Sequence, residues 1–299
     1  MKLSAWDANP VFGSAVEIPS DHYLFHYTSV ERCAAIGFTG CLALGPLTPL
    51  NDPRESQLRQ IITMTTGGQE GGRHVSDEER NGFERELWRL RSRVRLACFT
   101  TDKTDGEYSK RDDGRGYAHS RMWTQYAAGH SGVCLVFDRA QLLGAGDAAF
   151  GRRFHHRAVS YIDGFDSSLG EAESVDFDRP DPARHHRTNV VSSLFVKNRD
   201  WDSESEYRLL VDEWDEIACV LPIAGALVGV ALGVSFMPYQ LPVITALAEK
   251  FDLGDNVAHI MFNMGVLQTW PSRDRSGGLR LWTDEETRLQ DAFDPEHEE

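Results

Sequence analysis

Short apolar runs alternate with segments of helical periodicity along most of the chain. Runs of aromatic and β-branched residues predict strands, and apolar residues that recur every three to four positions predict helices between them. The predicted strands lie at residues 23–28, 41–44, 96–100, 132–138, 158–162 and 206–212, with two more within 217–236 and another at 259–262. The predicted helices lie at residues 30–38, 55–65, 83–94, 122–129, 188–197 and 238–250. This mixture indicates an α+β fold.

No break in composition and no internal repeat divides this pattern. Long polar segments, which we interpret as exposed loops, are predicted at residues 67–82, 102–117 and 163–187. We therefore predict a single α+β domain over residues 23–271. An N-terminal extension over residues 1–22 precedes it, and an acidic C-terminal tail over 272–299 follows it.

Composition narrows the range of partners and compartments. The net charge of −15 disfavours nonspecific binding to nucleic acid, because an acidic surface repels phosphates. The five cysteines form no CxxC pair, which is typical of buried thiols in a reducing compartment. The N-terminus lacks the apolar run of a signal peptide, and Pro222 interrupts the most apolar stretch, residues 217–236. We therefore expect a cytoplasmic protein that makes no membrane contact.

His26 is the first candidate for chemistry. It lies in the predicted strand 23–28, directly before a helix that Ser29 is well suited to cap. The N–H groups at the start of a helix favour anions, so His26 is placed to donate a hydrogen bond to a ligand hydroxyl or phosphate. A core histidine bonded to the backbone explains the pattern equally well.

Glu204 and Glu206 are the second candidate. If both belong to a strand they face the same side, together with Arg208. Two neighbouring carboxylates drive their pKa values apart, as acid–base chemistry requires, and Arg208 could keep one of them ionised. A solvated ladder of charges along an edge strand is the alternative interpretation.

Weaker candidates lie elsewhere in the chain. Trp123 and Tyr126 have helical spacing and are more typical of a core, although Tyr126 could stack on a flat ligand ring. Asn51 and Arg54 flank an Asp-Pro turn and could contact phosphate or ribose, although a structural turn is the default. Glycine-rich nucleotide motifs, GxSxG and HExxH are all absent from the sequence.

The order of these motifs resembles a bacterial family, domain of unknown function 2971, over about residues 23–235. The family name implies no activity. The motifs that carry the resemblance are His26-Tyr27-Thr28, Leu50-Asn51-Asp52-Pro53-x-Glu55, Cys98-Phe99-Thr100, Met122-Trp123-x-x-Tyr126-Ala127-x-x-His130-x-Gly132, Val159-x-Tyr161 and Lys197-x-x-x-Trp201-x-x-Glu204-x-Glu206-Tyr207-Arg208.

A more distant resemblance concerns ADP-ribosyltransferases of the His-Tyr-Glu type. Phe25-His26-Tyr27-Thr28, the helix after it and Gly40 are similar to the first strand and helix of that group. The resemblance implies a mixed, mostly antiparallel central sheet flanked by helices and long loops. It also implies that His26 holds the ribose of NAD and that Glu206, assisted by Glu204, stabilises the ribosyl cation.

The stacking tyrosine of that group has three candidate counterparts here. Tyr126 is the candidate to stack on nicotinamide, with Tyr108 and Tyr117 as alternatives. The further residues expected to bind the nucleotide are Tyr27, Thr28, Asn51, Arg54, Trp123 and Arg208.

The resemblance implies an NAD-dependent ADP-ribosyltransferase-like enzyme, with a role as a bacterial defence or toxin effector. NAD would be its substrate, a protein or nucleic acid its acceptor, and no metal is expected. One alternative is a hydrolase of nucleotides or N-glycosidic bonds that uses the same His and Glu residues. Another is a nucleotide-sensing or partner-binding module without turnover.

Overall fold

The computed structural model describes residues 6, 8–13, 22–47, 76–103, 114–163, 180–263, 266–273 and 278–282. The predicted helix at 55–65 lies outside this part of the chain, as do Asn51, Arg54 and Tyr108. The strands are β1 Tyr23–Thr28, β2 Cys41–Pro46, β3 Arg95–Thr100, β4 Val133–Asp138, β5 Phe154–Ala158, β6 Ser160–Ile162, β7 Val196–Asn198, β8 Glu206–Val211, β9 Cys219–Pro222, β10 Leu227–Leu232, β11 Val257–Asn263 and β12 Val266–Pro271.

Helices flank these strands. The α-helices are α1 Val30–Thr39, α2 Asp77–Arg91, α3 Ser120–Tyr126, α4 Arg139–Phe150, α5 Pro182–His185, α6 Val191–Ser193 and α7 Leu241–Lys250. A π-helical turn over His186–Val190 joins α5 to α6, and 3-10 turns form at Gly151–Arg153, Arg199–Glu204 and Pro238–Gln240. In the described part of the chain, every helix is too short or too polar to cross a bilayer.

The fold is α+β, with a mixed, mostly antiparallel sheet flanked by helices, as predicted. Its residues group into two compact units. Unit 1 comprises Met1–Cys41, Phe99–Gly144 and Pro222–Glu299, and unit 2 comprises Leu42–Cys98 and Ala145–Leu221.

In unit 1, β4 is central because apolar residues cover both of its faces. It pairs antiparallel with β1 along the whole strand, from Tyr23↔Asp138 to Thr28↔Val133, and antiparallel with β10 on its other side. Strand β11 then adds parallel to β10, and β12 adds antiparallel to β11. On the other side of β1, Phe25 pairs with Thr100 at the end of β3.

The two faces of β1 have different surroundings, because side chains alternate along a strand. Tyr23, Phe25 and Tyr27 enter a core that contains Trp123. His26 faces the opposite side, where its ring lies 5.4 Å from that of Phe99. His26 and its sequence neighbours Phe25 and Tyr27 therefore lie on opposite faces of β1.

Helix α1 begins and ends as the sequence predicts. The Ser29 side chain caps it by accepting a hydrogen bond from the backbone N–H of Arg32, 3.4 Å away. Gly40 ends it in the left-handed region, with φ of 72°, where a residue without a Cβ adopts the conformation at little cost.

A left-handed turn connects α3 to β4. Ala128, Gly129 and His130 have φ values of 49°, 62° and 70°. Non-glycine residues in this region cost conformational energy, so the turn persists only because its surroundings fix it. Gly132 contributes to that fixation, since a Cβ there would overlap the carbonyl oxygen of Thr28.

In unit 2, β8 pairs with β5 on one side and with β3 on the other. Strands β2 and β3 are antiparallel, and β6 and β7 form a short parallel pair. The residues that share its buried apolar cluster are Leu47, Val94, Leu96, Val191, Leu194, Phe195 and Leu210. Every residue of β8 is buried, the charged ones included.

Three elements differ from the prediction. The segment predicted as one helix over 188–197 contains the π-helical turn, α6 and then strand β7. Helix α4 was not predicted, because its Ala- and Gly-rich sequence lacks a clear apolar stripe. The end of the predicted exposed loop 163–187 is helical, and His185 and His186 are buried there.

Candidate functional site: a buried carboxylate cluster

A cluster of four charged side chains lies at the start of β8 in unit 2. It consists of Lys197, Glu204, Glu206 and Arg208, and we call it the carboxylate cluster. Each of these side chains is between 1% and 5% exposed. Charged residues are almost never buried to this extent unless they are paired, so the geometry of the pairs determines what the cluster can do.

Glu206 and Arg208 form the first pair. They occupy alternate positions of β8, so their side chains project from the same face. Arg208 donates from Nε to Oε1 of Glu206 over 2.6 Å and from Nη2 to Oε2 over 2.9 Å. Its third nitrogen, Nη1, donates to the carbonyl oxygen of Leu194 over 2.6 Å. The guanidinium is thus held in one orientation, and it holds the carboxylate.

Lys197 links the two carboxylates. Its Nζ lies 2.6 Å from Oε2 of Glu204 and 3.3 Å from Oε2 of Glu206. The ammonium also lies 4.5 Å from the centroid of the Trp201 ring, within the range of a cation–π contact. The shorter distance makes Lys197 chiefly the partner of Glu204, while Arg208 is the partner of Glu206.

Local backbone geometry brings the two carboxylates together. Glu204 ends the 3-10 turn Arg199–Glu204 and does not lie in a strand, so strand alternation does not explain how the two carboxylates meet. Ser205 then takes a left-handed conformation with φ of 45°, and β8 begins at Glu206. This bend, not strand alternation, directs both carboxylates toward Lys197.

The cluster has two positive and two negative groups and is neutral as a whole. Burial alone would raise the pKa of Glu206, but the charge and hydrogen bonds of Arg208, then the charge of Lys197 and a hydrogen bond from Cys98, hold it below its ordinary value. The backbone N–H of Glu206 donates to the hydroxyl of Tyr161 over 2.8 Å. Burial raises the pKa of that hydroxyl, so Tyr161 is neutral there.

These properties favour a fixed negative charge over proton transfer. A general acid must carry a proton at neutral pH, whereas Glu206 is held ionised. Both oxygens of Glu206 already accept hydrogen bonds from Arg208. Glu206 is therefore not arranged to act as the general acid of the pair.

The candidates in unit 1 occupy different environments. His26 is half-buried and Tyr126 is partly buried, which leaves part of each ring accessible. Tyr27 is buried, and its hydroxyl donates to the carbonyl of Gly116 over 2.6 Å. Trp123 is fully buried, with its Nε1 donating to the carbonyl of Tyr117 over 2.8 Å. The positions of Tyr27 and Trp123 are accounted for by packing.

Thr28 and Arg208, two further residues predicted to contact the nucleotide, are both buried. Thr28 is buried at the end of β1. A phosphate contact by Arg208 would require its bonds to Glu206 or Leu194 to break, because all three of its nitrogens donate to them. Within the residues that the structure describes, no group of three His, Cys, Asp or Glu side chains is arranged to hold a metal ion.

The sequence did not indicate a role in the site for two residues, Lys197 and Tyr161. Lys197 was part of the motif but received no role, because it was assigned to a helix and not to β7. Tyr161 was likewise noted only as part of a motif. The available signal was the presence of Glu206 and Arg208 in a run that is otherwise apolar, since buried charges require buried partners.

Comparison with known proteins gives one family match. Residues 122–209 match the family described as Protein of unknown function (DUF2971). The chain resembles this family over that segment, as its motif order predicted. The matched segment contains Tyr126 and the whole carboxylate cluster, whereas His26 lies outside it. No curated protein matches the chain.

Solved structures of DarT from Thermus sp. 2.9 show a low structural similarity. The complex with NAD+ is 13% identical, with a TM-score of 0.31, and the match covers 78% of this chain and 91% of that chain. The complex with ADP-ribosylated ssDNA is 13% identical, with a TM-score of 0.31 and coverages of 79% and 92%. The complex with carba-NAD+ is 14% identical, with the same TM-score and coverages. At these values the likeness by itself assigns no activity or ligand to this chain.

Proposed function

We propose that the protein is an NAD-dependent ADP-ribosyltransferase-like enzyme in which Glu206 is the catalytic carboxylate. The observation that supports this most directly is the state of Glu206, a carboxylate that its partners keep ionised and fixed at the start of β8. Its place within the segment that matches the family is consistent with a role in a shared activity.

The chemistry explains why such a carboxylate is useful. Cleavage of the bond between nicotinamide and ribose builds positive charge on the sugar. A preorganised negative group stabilises that charge without reorganisation at the moment of reaction. Glu206 would supply this charge, and Glu204 would assist. His26 would hold the ribose of NAD and the half-accessible Tyr126 would stack on nicotinamide.

Lys197 and Arg208 would act as positioning residues in this proposal. Arg208 fixes both oxygens of Glu206, and Lys197 fixes Glu204. Because these contacts use the lone pairs that a nucleophile or base would need, the role left to Glu206 is electrostatic. The acceptor would be a protein or a nucleic acid, in keeping with a bacterial defence or toxin effector.

One specific observation favours a second candidate, a nucleotide-sensing or partner-binding module without turnover. All four members of the carboxylate cluster are at most 5% exposed. A neutral network whose charges are already paired has a structural role and need not take part in a reaction. A hydrolase that uses the two glutamates as acid and base is less favoured, because the pKa of Glu206 is lowered and not raised.

Titration with NAD would test the proposal. We would record the melting temperature of the wild type, His26→Ala and Glu206→Gln with increasing NAD, and measure released nicotinamide in the same samples. A ligand that binds only the folded state raises the melting temperature by mass action. We expect a shift for the wild type, none for His26→Ala, and a shift without nicotinamide release for Glu206→Gln.

Two results would decide between the candidates. A shift with no nicotinamide release in any sample, while a control ADP-ribosyltransferase releases it, would favour the binding module. No shift in any sample would remove NAD as the ligand. Glu86→Gln, which alters an exposed ion pair on α2, is the matched control and should behave as the wild type does.

A further inference from the structure

One face of β8 is bound along its length by a single segment of unit 2. The segment, residues 186–197, runs from the π-helical turn through α6 into β7, and we call it the arm. Alternate residues of β8 and the residue after it, namely 206, 208, 210 and 212, project from the same face. The arm contacts this face at both ends and in the middle, and it runs in the opposite direction to β8.

The middle contact is apolar. Val191, Leu194 and Phe195 of the arm share one buried cluster with Leu210 of β8. Apolar packing of this kind holds the arm on the strand but has no directional preference that would fix its register. Directional bonds, which add to the definition of the register, come from polar contacts at the two ends of the arm.

The near end of the arm belongs to the carboxylate cluster. The carbonyl of Leu194 accepts from Arg208, and Lys197 contacts Glu204 and Glu206. A displacement of the arm along β8 would therefore move two of the groups that set the position and the ionisation of Glu206. The cluster is not complete without the arm.

The far end of the arm is held by His186. Its Nε2 lies 2.8 Å from Oδ1 of Asp212, and both side chains are buried. Asp212 is itself fixed: its backbone N–H donates to the carbonyl of Arg153 over 2.9 Å, and its Oδ1 accepts from the N–H of Glu213 over 2.8 Å. The bond requires a proton on Nε2, because an ionised carboxylate only accepts.

The environment of this pair favours one arrangement. Among the residues that the structure describes, buried His186 Nδ1 has no hydrogen-bond partner, so Nε2 makes the bond that fixes this ring. The other titratable groups beside the pair are His155 of β5, which acts on Asp212, and Arg187 and Glu213, which form an ion pair with each other at the rim. The π-helical turn begins at His186, and such turns are rare and frequently lie at functional sites.

We propose that His186 and Asp212 are positioning residues for the carboxylate cluster, which hold the arm in the register that places Lys197 and the Leu194 carbonyl on Glu206 and Arg208. The inference rests on the proposed function only in that Glu206 is taken as the catalytic group. The mechanical link is independent of NAD and can be measured without it.

The test is the pKa of the Glu206 carboxyl, followed through its ¹³C chemical shift in a pH titration and assigned with Glu206→Gln. In His186→Leu the far end of the arm loses its polar anchor. We expect the pKa of Glu206 to rise by about one unit, a tenfold change in proton affinity. His186→Gln retains an N–H that can reach Asp212 and should keep the wild-type pKa.

Asp212→Leu removes the acceptor of this bond and is the second variant if His186→Leu does not fold. Removal of a negative charge alone would lower the pKa of Glu206, so a rise in this variant would report displacement of the arm. Arg187→Gln, which removes a rim charge from the arm, is the matched control and should change nothing. A folded His186→Leu or Asp212→Leu with an unraised pKa for Glu206 would overturn the inference. Nicotinamide release is a separate readout, so the proposed function can fail while this inference stands.

Discussion

Arg208 binds Glu206 from two positions further along the same strand, with hydrogen bonds of 2.6 Å and 2.9 Å to the two carboxylate oxygens. Both groups are buried, so neither can exchange its partner for water. Removal of one member leaves the other buried without its main charged partner, which costs more than the pair contributes. This asymmetry makes the pair testable by substitution.

We predict that Glu206→Gln lowers the free energy of unfolding by about 3–5 kcal/mol, because the Arg208 charge remains buried without a carboxylate. Chemical denaturation followed by circular dichroism measures this value. Glu86→Gln is the matched control. Its bond to Arg89 is 2.7 Å long, but the two side chains are 42% and 57% exposed, so we expect little change. Equal losses in the two variants would contradict the buried pairing.

Arg208→Lys keeps the charge and removes the fork that matches a carboxylate. Lysine has one nitrogen where Arg208 uses three, so the two parallel bonds to Glu206 and the bond to the Leu194 carbonyl cannot all be kept. We expect the variant to be destabilised by about 1–3 kcal/mol. Combining it with Glu206→Gln should give less than the sum of the two losses, since both changes break one interaction. Additive losses would show that the two residues act separately.

The sequence predicted strands better than the contacts between them. The run GVCLVFD is apolar on both faces and could only be a buried strand, and the structure places β4 there. The arm was predicted as one helix because its apolar residues recur at helical spacing. The π-helical turn begins at His186, which bonds to Asp212, and β7 forms by pairing with β6. Local sequence does not encode these tertiary contacts.

The same limit applies to the candidate site. The pairing of Glu206 with Arg208 follows from their spacing in a strand, and the sequence indicated it. The position of Glu204 depends on the left-handed Ser205, a conformation that a serine in sequence does not signal. Lys197 reaches the site from another strand, so only the fold identifies it as a member.

Acid should destabilise the protein through Glu206 and Asp212. Although burial raises the pKa of each carboxyl, Arg208 and His186 respectively lower it below the ordinary values of 4.5 and 3.8. The unfolded chain therefore binds more protons between each ordinary value and the lower folded value, so stability falls as pH falls through this window. Denaturation curves recorded from pH 7 to pH 3 should show this loss. The slope below about pH 4.5 should be shallower in Glu206→Gln, and an unchanged slope would contradict the assignment.

Tyr27 and His26 are neighbours in β1 that should respond differently to substitution. Tyr27→Phe removes the hydroxyl that donates to the Gly116 carbonyl over 2.6 Å, in a buried position. We expect a loss of about 1–3 kcal/mol in the free energy of unfolding, because the carbonyl is left without its partner. Any thermal shift with NAD should be retained. A variant of wild-type stability that loses the NAD shift would instead make Tyr27 a ligand contact.

Gly132 and Gly144 provide a matched pair of glycine-to-alanine changes in unit 1. A Cβ at Gly132 would overlap the Thr28 carbonyl oxygen and lie 2.9 Å from the Ala127 carbonyl oxygen, and neither backbone atom can move without disturbing β1 or the turn before β4. We expect Gly132→Ala to lower the free energy of unfolding by about 1–3 kcal/mol. Gly144 lies within α4 and a Cβ there would meet nothing within 4 Å, so Gly144→Ala should raise stability by about 0.5–1 kcal/mol. Both values come from thermal or chemical denaturation. If Gly132→Ala were as stable as Gly144→Ala, the close approach of the turn to β1 would be wrong, and with it the reason that the left-handed turn at Ala128–His130 persists.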